Sequence, residues 1–219
     1  MTVQVKICGI STEAAMDAAI AHGADYVGLV NFPKSPRHVD LPLAQRLAAH
    51  ARSKGGVKVV VLLVDPDNRK LMQVHDSVKP DFIQLHGHET VTRAREAHIL
   101  TGLPVIKAMS VTTREDVEGA TAYLAEGHAS FVLFDARPPS DPTSLPGGNG
   151  LSFDWNILDG WDRARPFALA GGLTPKNVNA AVRLTRPAIV DVSSGVESAP
   201  GVKDAELIGL FIRNAKAAT

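Results

Sequence analysis

Val3-Gln4-Val5-Lys6-Ile7-Cys8-Gly9-Ile10 is a short apolar run that stops on the only cysteine of the chain. Val3, Val5 and Ile7 are β-branched and fall two apart, which is the period and residue type of a strand. Gly9 lets the backbone turn straight afterwards. Over residues 12–22 the period changes: Ala15, Ala19 and Ile20 share one helical face, and Gly23 stands where a helix would end. The unit is a strand, a loop and a helix. A thiol at the mouth of that strand is partly shielded yet reachable, a good place for a proton-transfer group.

The unit recurs along the chain. Tyr26–Val30 reads as the second strand, and Asp40 precedes a helix with Leu43, Leu47 and Ala51 on one stripe. Residues 57–64 are nearly all aliphatic, as a strand covered on both faces should be. Asp65-Pro66 opens a helix carrying Leu71, Val74 and Val78. Phe82–Leu85 is a fourth strand, followed by a helix over about residues 89–100. Residues 104–109 form a fifth, and Thr113 with Asp116 spells a capping box for the helix that buries Val117, Ala120 and Leu124. Residues 131–134 form the sixth strand, ending at Asp135. Residues 153–161 suggest a short helix, and residues 167–170 the seventh strand. Thr174-Pro175 has the form of an N-cap followed by proline at the first helical position. Residues 188–192 are the eighth strand, and a last helix over 203–216 buries Leu207, Leu210, Phe211 and Ala215.

Eight such units without a break in composition predict a closed (β/α)₈ TIM barrel, a single domain over residues 1–219, compact for a fold that usually takes ~250 residues. The alternative, an open doubly wound sheet, would need a unit that reverses the alternation, and none is visible. The chain is 45% hydrophobic and 21% charged, the profile of a soluble globular protein. Lys and Arg balance Asp and Glu at 23 each, so no net field favours nucleic acid or an anionic membrane. A lone cysteine excludes an internal disulfide and suits a reducing compartment. The N-terminus lacks the apolar core of a secretory signal, and the longest aliphatic run, residues 59–64, is far short of the ~20 needed to span a bilayer. A cytoplasmic protein with no membrane partner is expected.

In a TIM barrel the functional groups gather at the C-terminal strand ends. Those positions are Cys8, residues 31–38, Asp65, His86, Lys107, Asp135, Gly171-Gly172 and residues 191–195. Asp65 has the look of a helix cap, and His86 of a packed or hydrogen-bonded histidine. Arg37 lies in the stiff basic loop Pro33-Lys34-Ser35-Pro36-Arg37, where it is either a surface charge or an anion ligand. Gly171-Gly172 after strand seven and Ser193-Ser194-Gly195 after strand eight occupy the usual phosphate-binding loops of this fold, where backbone N–H groups can approach an anion. Residues 137–151 make a loop too long to be a simple connection, and Gly147-Gly148-Asn149-Gly150 beside Asp135 suggests a lid.

Lys6-Ile7-Cys8-Gly9-Ile10, Pro33-Lys34-Ser35-Pro36-Arg37, Gln84-Leu85-His86-Gly87, the glycines of 147–150 before Phe153-Asp154-Trp155, Ala170-Gly171-Gly172-Leu173 and Asp191-Val192-Ser193-Ser194-Gly195-Val196-Glu197 occur in that order. Together they closely resemble the phosphoribosylanthranilate isomerases of tryptophan biosynthesis, down to Pro200-Gly201-Val202-Lys203-Asp204. The resemblance implies an Amadori rearrangement of a small phosphosugar, with Cys8 as general base and Asp135, in its protonated form, as general acid. It assigns Arg37 to the anthranilate carboxylate as a planar bidentate donor. The phosphate falls to the backbone around Gly171, Gly172, Ser194 and Gly195, and Asp191 to a substrate hydroxyl. No metal, nucleotide or redox cofactor is implied, and a monomer or homodimer is expected. Pro138-Pro139-Ser140-Asp141-Pro142 makes the loop after Asp135 longer than the usual lid. Two other readings fit parts of the pattern: a different phosphosugar enzyme on the same barrel, and a phosphosugar-binding barrel without catalysis.

Overall fold

The computed structural model describes residues 2–125, 129–138 and 145–218. Eight strands close on themselves: β1 (Gln4–Cys8), β2 (Tyr26–Val30), β3 (Lys58–Leu63), β4 (Phe82–Leu85), β5 (Val105–Val111), β6 (Phe131–Ala136), β7 (Phe167–Leu169) and β8 (Ile189–Val192). Each is parallel to its neighbour, and β8 returns to β1 with Gln4 opposite Ile189 and Ile7 opposite Val192. The expected (β/α)₈ TIM barrel is the fold.

The two-residue period of the strands sorts side chains into two cores. Val5, Ile7, Val27, Leu29, Val59, Val61, Val132 and Phe134 pack outward against the helices. Tyr26, Val60, Ile106, Phe131, Leu133, Ala168 and Ile189 fill the barrel. Above that filling, Cys8, Val30 and Leu62 form a small apolar layer with Phe32 and Val64 at the C-terminal mouth. The helices are α1 (Glu13–Ala21), α2 (Leu41–Lys54), α3 (Asn68–Val78), α4 (Val91–Thr101), α5 (Arg114–Gly119), α6 (Thr121–Leu124), α7 (Val178–Thr185) and α8 (Ala205–Lys216). None of the described helices is long and apolar enough to cross a membrane. The Thr113–Asp116 capping box forms as expected, satisfying otherwise orphaned N–H groups at the start of α5.

Several boundaries move for local reasons. Asp65 does not cap α3: its backbone is left-handed (φ 45°) and its carboxylate accepts from His88 N–H at 2.7 Å, while Asp67 caps the helix by accepting from Lys70 N–H. Glu89 and Thr90 precede α4; Thr90 is its cap, and Glu89 is buried in an ion pair with Lys107. Thr174-Pro175 begins a turn rather than α7, because Asn177 accepts from Thr174 N–H and donates to the Gly172 carbonyl, tying the turn back to the barrel mouth. The expected helix over 153–161 is only a 3₁₀ turn, Trp155–Leu158. Lys203 belongs to a hairpin, β9 (Glu197–Ala199) with β10 (Val202–Lys203), and Asp204 caps α8. On α8 the buried stripe is Ile208, Phe211, Ile212 and Ala215, and Leu210, expected inside, is exposed.

Candidate active site

At the C-terminal mouth lies a cavity of about 790 Å³, counted out to its open rim. Cys8, Arg37, Asp135, Gly171, Gly172, Asp191 and Ser194 all line it. Gly195 stands behind the wall. Any Cβ there would overlap the Leu173 carbonyl, so glycine is required for packing. Lys107 and Asp65 take no part: Lys107 points outward to Glu89 at 2.7 Å, and Asp65 holds the β4 loop. His86, which the sequence left as a packed residue, does line the cavity.

Strand parity explains the grouping. Lys6 and Cys8 on β1, Asp135 on β6 and Asp191 on β8 lie on the face that also carries the barrel filling, two residues apart along each strand. Cys8 is 4% exposed. Burial pushes its thiol above the ordinary range, and the nearby Lys6 ammonium pulls the other way. Lys6 Nζ donates to Asp191 Oδ1 at 3.0 Å, with both side chains enclosed. Burial pulls the Lys6 ammonium down, but Asp191 and Cys8 beside it hold it above its usual value. Burial likewise pushes the Asp191 carboxyl up against the pull of Lys6.

Asp135 is held by a hydrogen bond at one oxygen. Oδ1 accepts from the Ala136 N–H at 2.8 Å, and Oδ2 lies 3.3 Å from His86 Nε2, near but not aligned as a hydrogen bond. On its other side His86 Nδ1 meets the Gln84 amide nitrogen at 2.9 Å.

Arg37 is no surface charge. It is 6% exposed, and its Nε and Nη2 donate to Glu197 at 2.7 and 2.8 Å. Glu197 also accepts from Lys203 Nζ at 2.6 Å and from Gly201 N–H at 3.1 Å. The backbone of residues 145–151 covers the cavity, and the Gly148 carbonyl accepts from Arg37 Nη2 at 3.3 Å. A side chain at Gly148 would strike the guanidinium. The proline-rich residues 139–144 of the expected lid lie outside the described residues. Gly171 and Gly172 both have positive φ (80° and 62°), and a Cβ on Gly172 would press on the Leu151 carbonyl. Here glycine is needed for both conformation and space.

Lys6, Gln84, Glu197 and Lys203 were given no role from sequence. Lys6 did carry a signal, a lysine two residues before the cysteine on one strand face. Glu197 and Lys203 fall within segments that carry the resemblance, but no role followed for them, since they act through a hairpin that the sequence did not reveal. Among the described residues no group of three His, Cys, Asp or Glu could hold a metal ion.

Residues 5–214 match the family model of N-(5′-phosphoribosyl)anthranilate isomerase. The N-(5′-phosphoribosyl)anthranilate isomerase of Nitrobacter hamburgensis is 52% identical over 218 residues, spanning 100% of this chain and 95% of the relative. That of Paramagnetospirillum magneticum is 53% identical, spanning 99% and 98%. The crystal structure of the Thermotoga maritima isomerase superposes with a TM-score of 0.86 at 37% identity, covering 98% of this chain and 99% of that one. A solved isomerase in complex with reduced 1-(o-carboxyphenylamino)-1-deoxyribulose 5-phosphate gives 0.84 at 35% identity over the same shares.

Proposed function

The chain belongs to the N-(5′-phosphoribosyl)anthranilate isomerase family, and from that premise we propose that Cys8 and Asp135 are the base and acid of its reaction. It is an isomerase of tryptophan biosynthesis that converts N-(5′-phosphoribosyl)anthranilate to 1-(2-carboxyphenylamino)-1-deoxyribulose 5-phosphate. The observation that carries the assignment is that Cys8, Asp135 and Arg37 line one cavity with the glycines of the β7 loop.

Protonated Asp135 gives its proton to the ring oxygen, the C1′–O bond breaks, and the nitrogen lone pair forms an iminium. That cation acidifies the C2′ hydrogen, which the Cys8 thiolate removes to leave an enolamine. The enolamine gains a proton at C1′ and loses one from its C2′ hydroxyl, giving the ketone. One proton must return from Cys8 to Asp135, through solvent, before the next turnover. Each transfer needs a group held at the right place and in the right protonation state.

The phosphate is assigned to the backbone around Gly171, Gly172 and Ser194, with Gly195 acting behind them through its packing. The aryl ring has an apolar wall in Val30, Phe32 and Leu62. Because the Nε–Nη2 edge of Arg37 is taken by Glu197, the anthranilate carboxylate is assigned to the Nη1–Nη2 end, in place of the Gly148 carbonyl. Asp191, already bonded to Lys6, keeps one oxygen for a substrate hydroxyl. The chain is read as one catalytic domain over residues 1–219, acting as a monomer or homodimer. The Thermotoga maritima enzyme is itself described as dimeric, with monomers generated from it.

Substrate formed in situ from anthranilate and phosphoribosyl pyrophosphate loses its fluorescence as it isomerises. Cys8→Ala and Asp135→Asn should each slow that decay ~10²–10⁴-fold in kcat. Affinity for the reduced product analogue should stay within a few-fold. Near-normal turnover in either variant removes that residue from its role.

A further inference from the structure

Lys6 is fully enclosed, 1% exposed, and the reaction as written gives it no task. A cation withdrawn from water is costly unless its charge is answered. One of its three donors goes to Asp191. The surroundings of the others are set by the register of β1 on β2, where Cys8 pairs with Gly28. Gly28 is not among the residues with positive φ, so its backbone does not demand glycine. Its space does. A Cβ there would stand 2.8 Å from Cys8 Sγ and 3.1 Å from Lys6 Nζ. Thiol and ammonium therefore share the gap that a missing methyl leaves.

We propose that Lys6 is the positioning residue of the proton-abstracting thiol: anchored on Asp191, its ammonium faces Cys8 Sγ through the gap at Gly28 and stabilises the thiolate. The inference rests on Cys8 being the base. The charged groups around the thiol are Lys6 on β1, Asp191 on β8 and Lys203 on β10. Burial and Asp191 favour the thiol, and Lys6, followed by Lys203, favours the thiolate. Asp135 and His86 act a step further off, on Asp191. Ionising Cys8 releases one proton to solvent, and Lys6 neither takes nor gives one. It touches no reacting atom.

Because the chain has one cysteine, the pH dependence of iodoacetamide alkylation, read by mass on the peptide that carries Cys8, reports that thiol alone. In Lys6→Met the thiolate fraction at a fixed alkaline pH should fall at least tenfold, and Lys6→Arg should restore most of it. A purely structural lysine would change thermal stability and leave this titration where it was. An unmoved titration in folded Lys6→Met overturns the proposal. If the uncompensated Asp191 stops that variant folding, the neutral pair Lys6→Gln/Asp191→Asn is titrated against Asp191→Asn alone, so that only the lysine differs, and a thiol unmoved between those two overturns it. The two readings separate cleanly. A shifted titration beside normal turnover in Cys8→Ala keeps the Lys6–Cys8 coupling and removes the base assignment. An unmoved titration beside an inactive Cys8→Ala does the reverse.

Discussion

Gly28 shows what a single hydrogen in place of a methyl can hold open. The sequence points to Cys8 and Asp135 because each ends an apolar strand, and in a barrel strand ends are where chemistry collects. It does not point to Gly28, and for Lys6 it offers only a spacing of two from the cysteine. Their importance depends on which face of β1 turns inward and which residue of β2 lies opposite the thiol, and both are properties of the closed sheet. Gln84 was hidden in the same way, as an enclosed polar residue whose partner, His86, is set by strand parity. Gly28→Ala is the direct test of the shared space. The added methyl must push aside Sγ or Nζ, and overpacking of this kind costs ~1–3 kcal/mol. Thermal melting should fall accordingly, and kcat should drop more than KM rises, because the thiol is displaced while the phosphate anchors are untouched. A variant with unchanged melting and kcat would mean that the gap has no function.

Element boundaries were legible to within a few residues, and each miss has a local cause. Asp65 and Asp67 both precede α3, and only the pairing of Asp65 with the β4 loop decides between them. The β9–β10 hairpin was missed because its strands are short and largely exposed, with no alternating pattern. Yet it carries Glu197 and Lys203, which hold Arg37 in place. Burial pushes the Glu197 carboxyl up, but the bonds from Arg37 and Lys203 more than reverse this, leaving it below its ordinary value of 4.5. A carboxyl lowered on folding gives stability that is complete above its unfolded value and is lost as pH falls through the folded one. Glu197→Gln leaves two enclosed cations unanswered, a loss of about 3 kcal/mol at neutral pH. Melting curves taken from neutral pH downward should therefore show the wild type well above the variant. The gap should close as pH drops below the ordinary carboxylate range. The same variant should raise KM more than it lowers kcat, since Arg37 is assigned to substrate binding and not to proton transfer. A gap that widens on acidification would contradict the lowered carboxyl.

At the scale of the whole molecule, closure joins β8 to β1 and so brings Cys8, Lys6, Asp191 and the β8 loop to one seam. Eight repeated units made the barrel legible, but not where it would be thin. Between β6 and β7 the described crossover carries only the 3₁₀ turn Trp155–Leu158, so the backbone of 145–151 is free to lie over the cavity rather than pack as a helix. A ligand filling that cavity touches β1, β6, β8 and the loop after β7 together, and binding to the folded state alone stabilises the entire chain. At a hundredfold excess over Kd this amounts to ~2.7 kcal/mol. For a chain of this length each kcal/mol moves the melting temperature by ~2–4 °C. The reduced product analogue at that concentration should therefore raise Tm by about 5–11 °C in the wild type, with inorganic phosphate raising it less because it engages only the β7–β8 end. In Arg37→Met the analogue should lose affinity, so the shift at the same concentration should shrink toward that given by phosphate. A full shift retained in Arg37→Met would place the carboxylate elsewhere in the mouth, and no shift in the wild type would remove the ligand from the seam altogether.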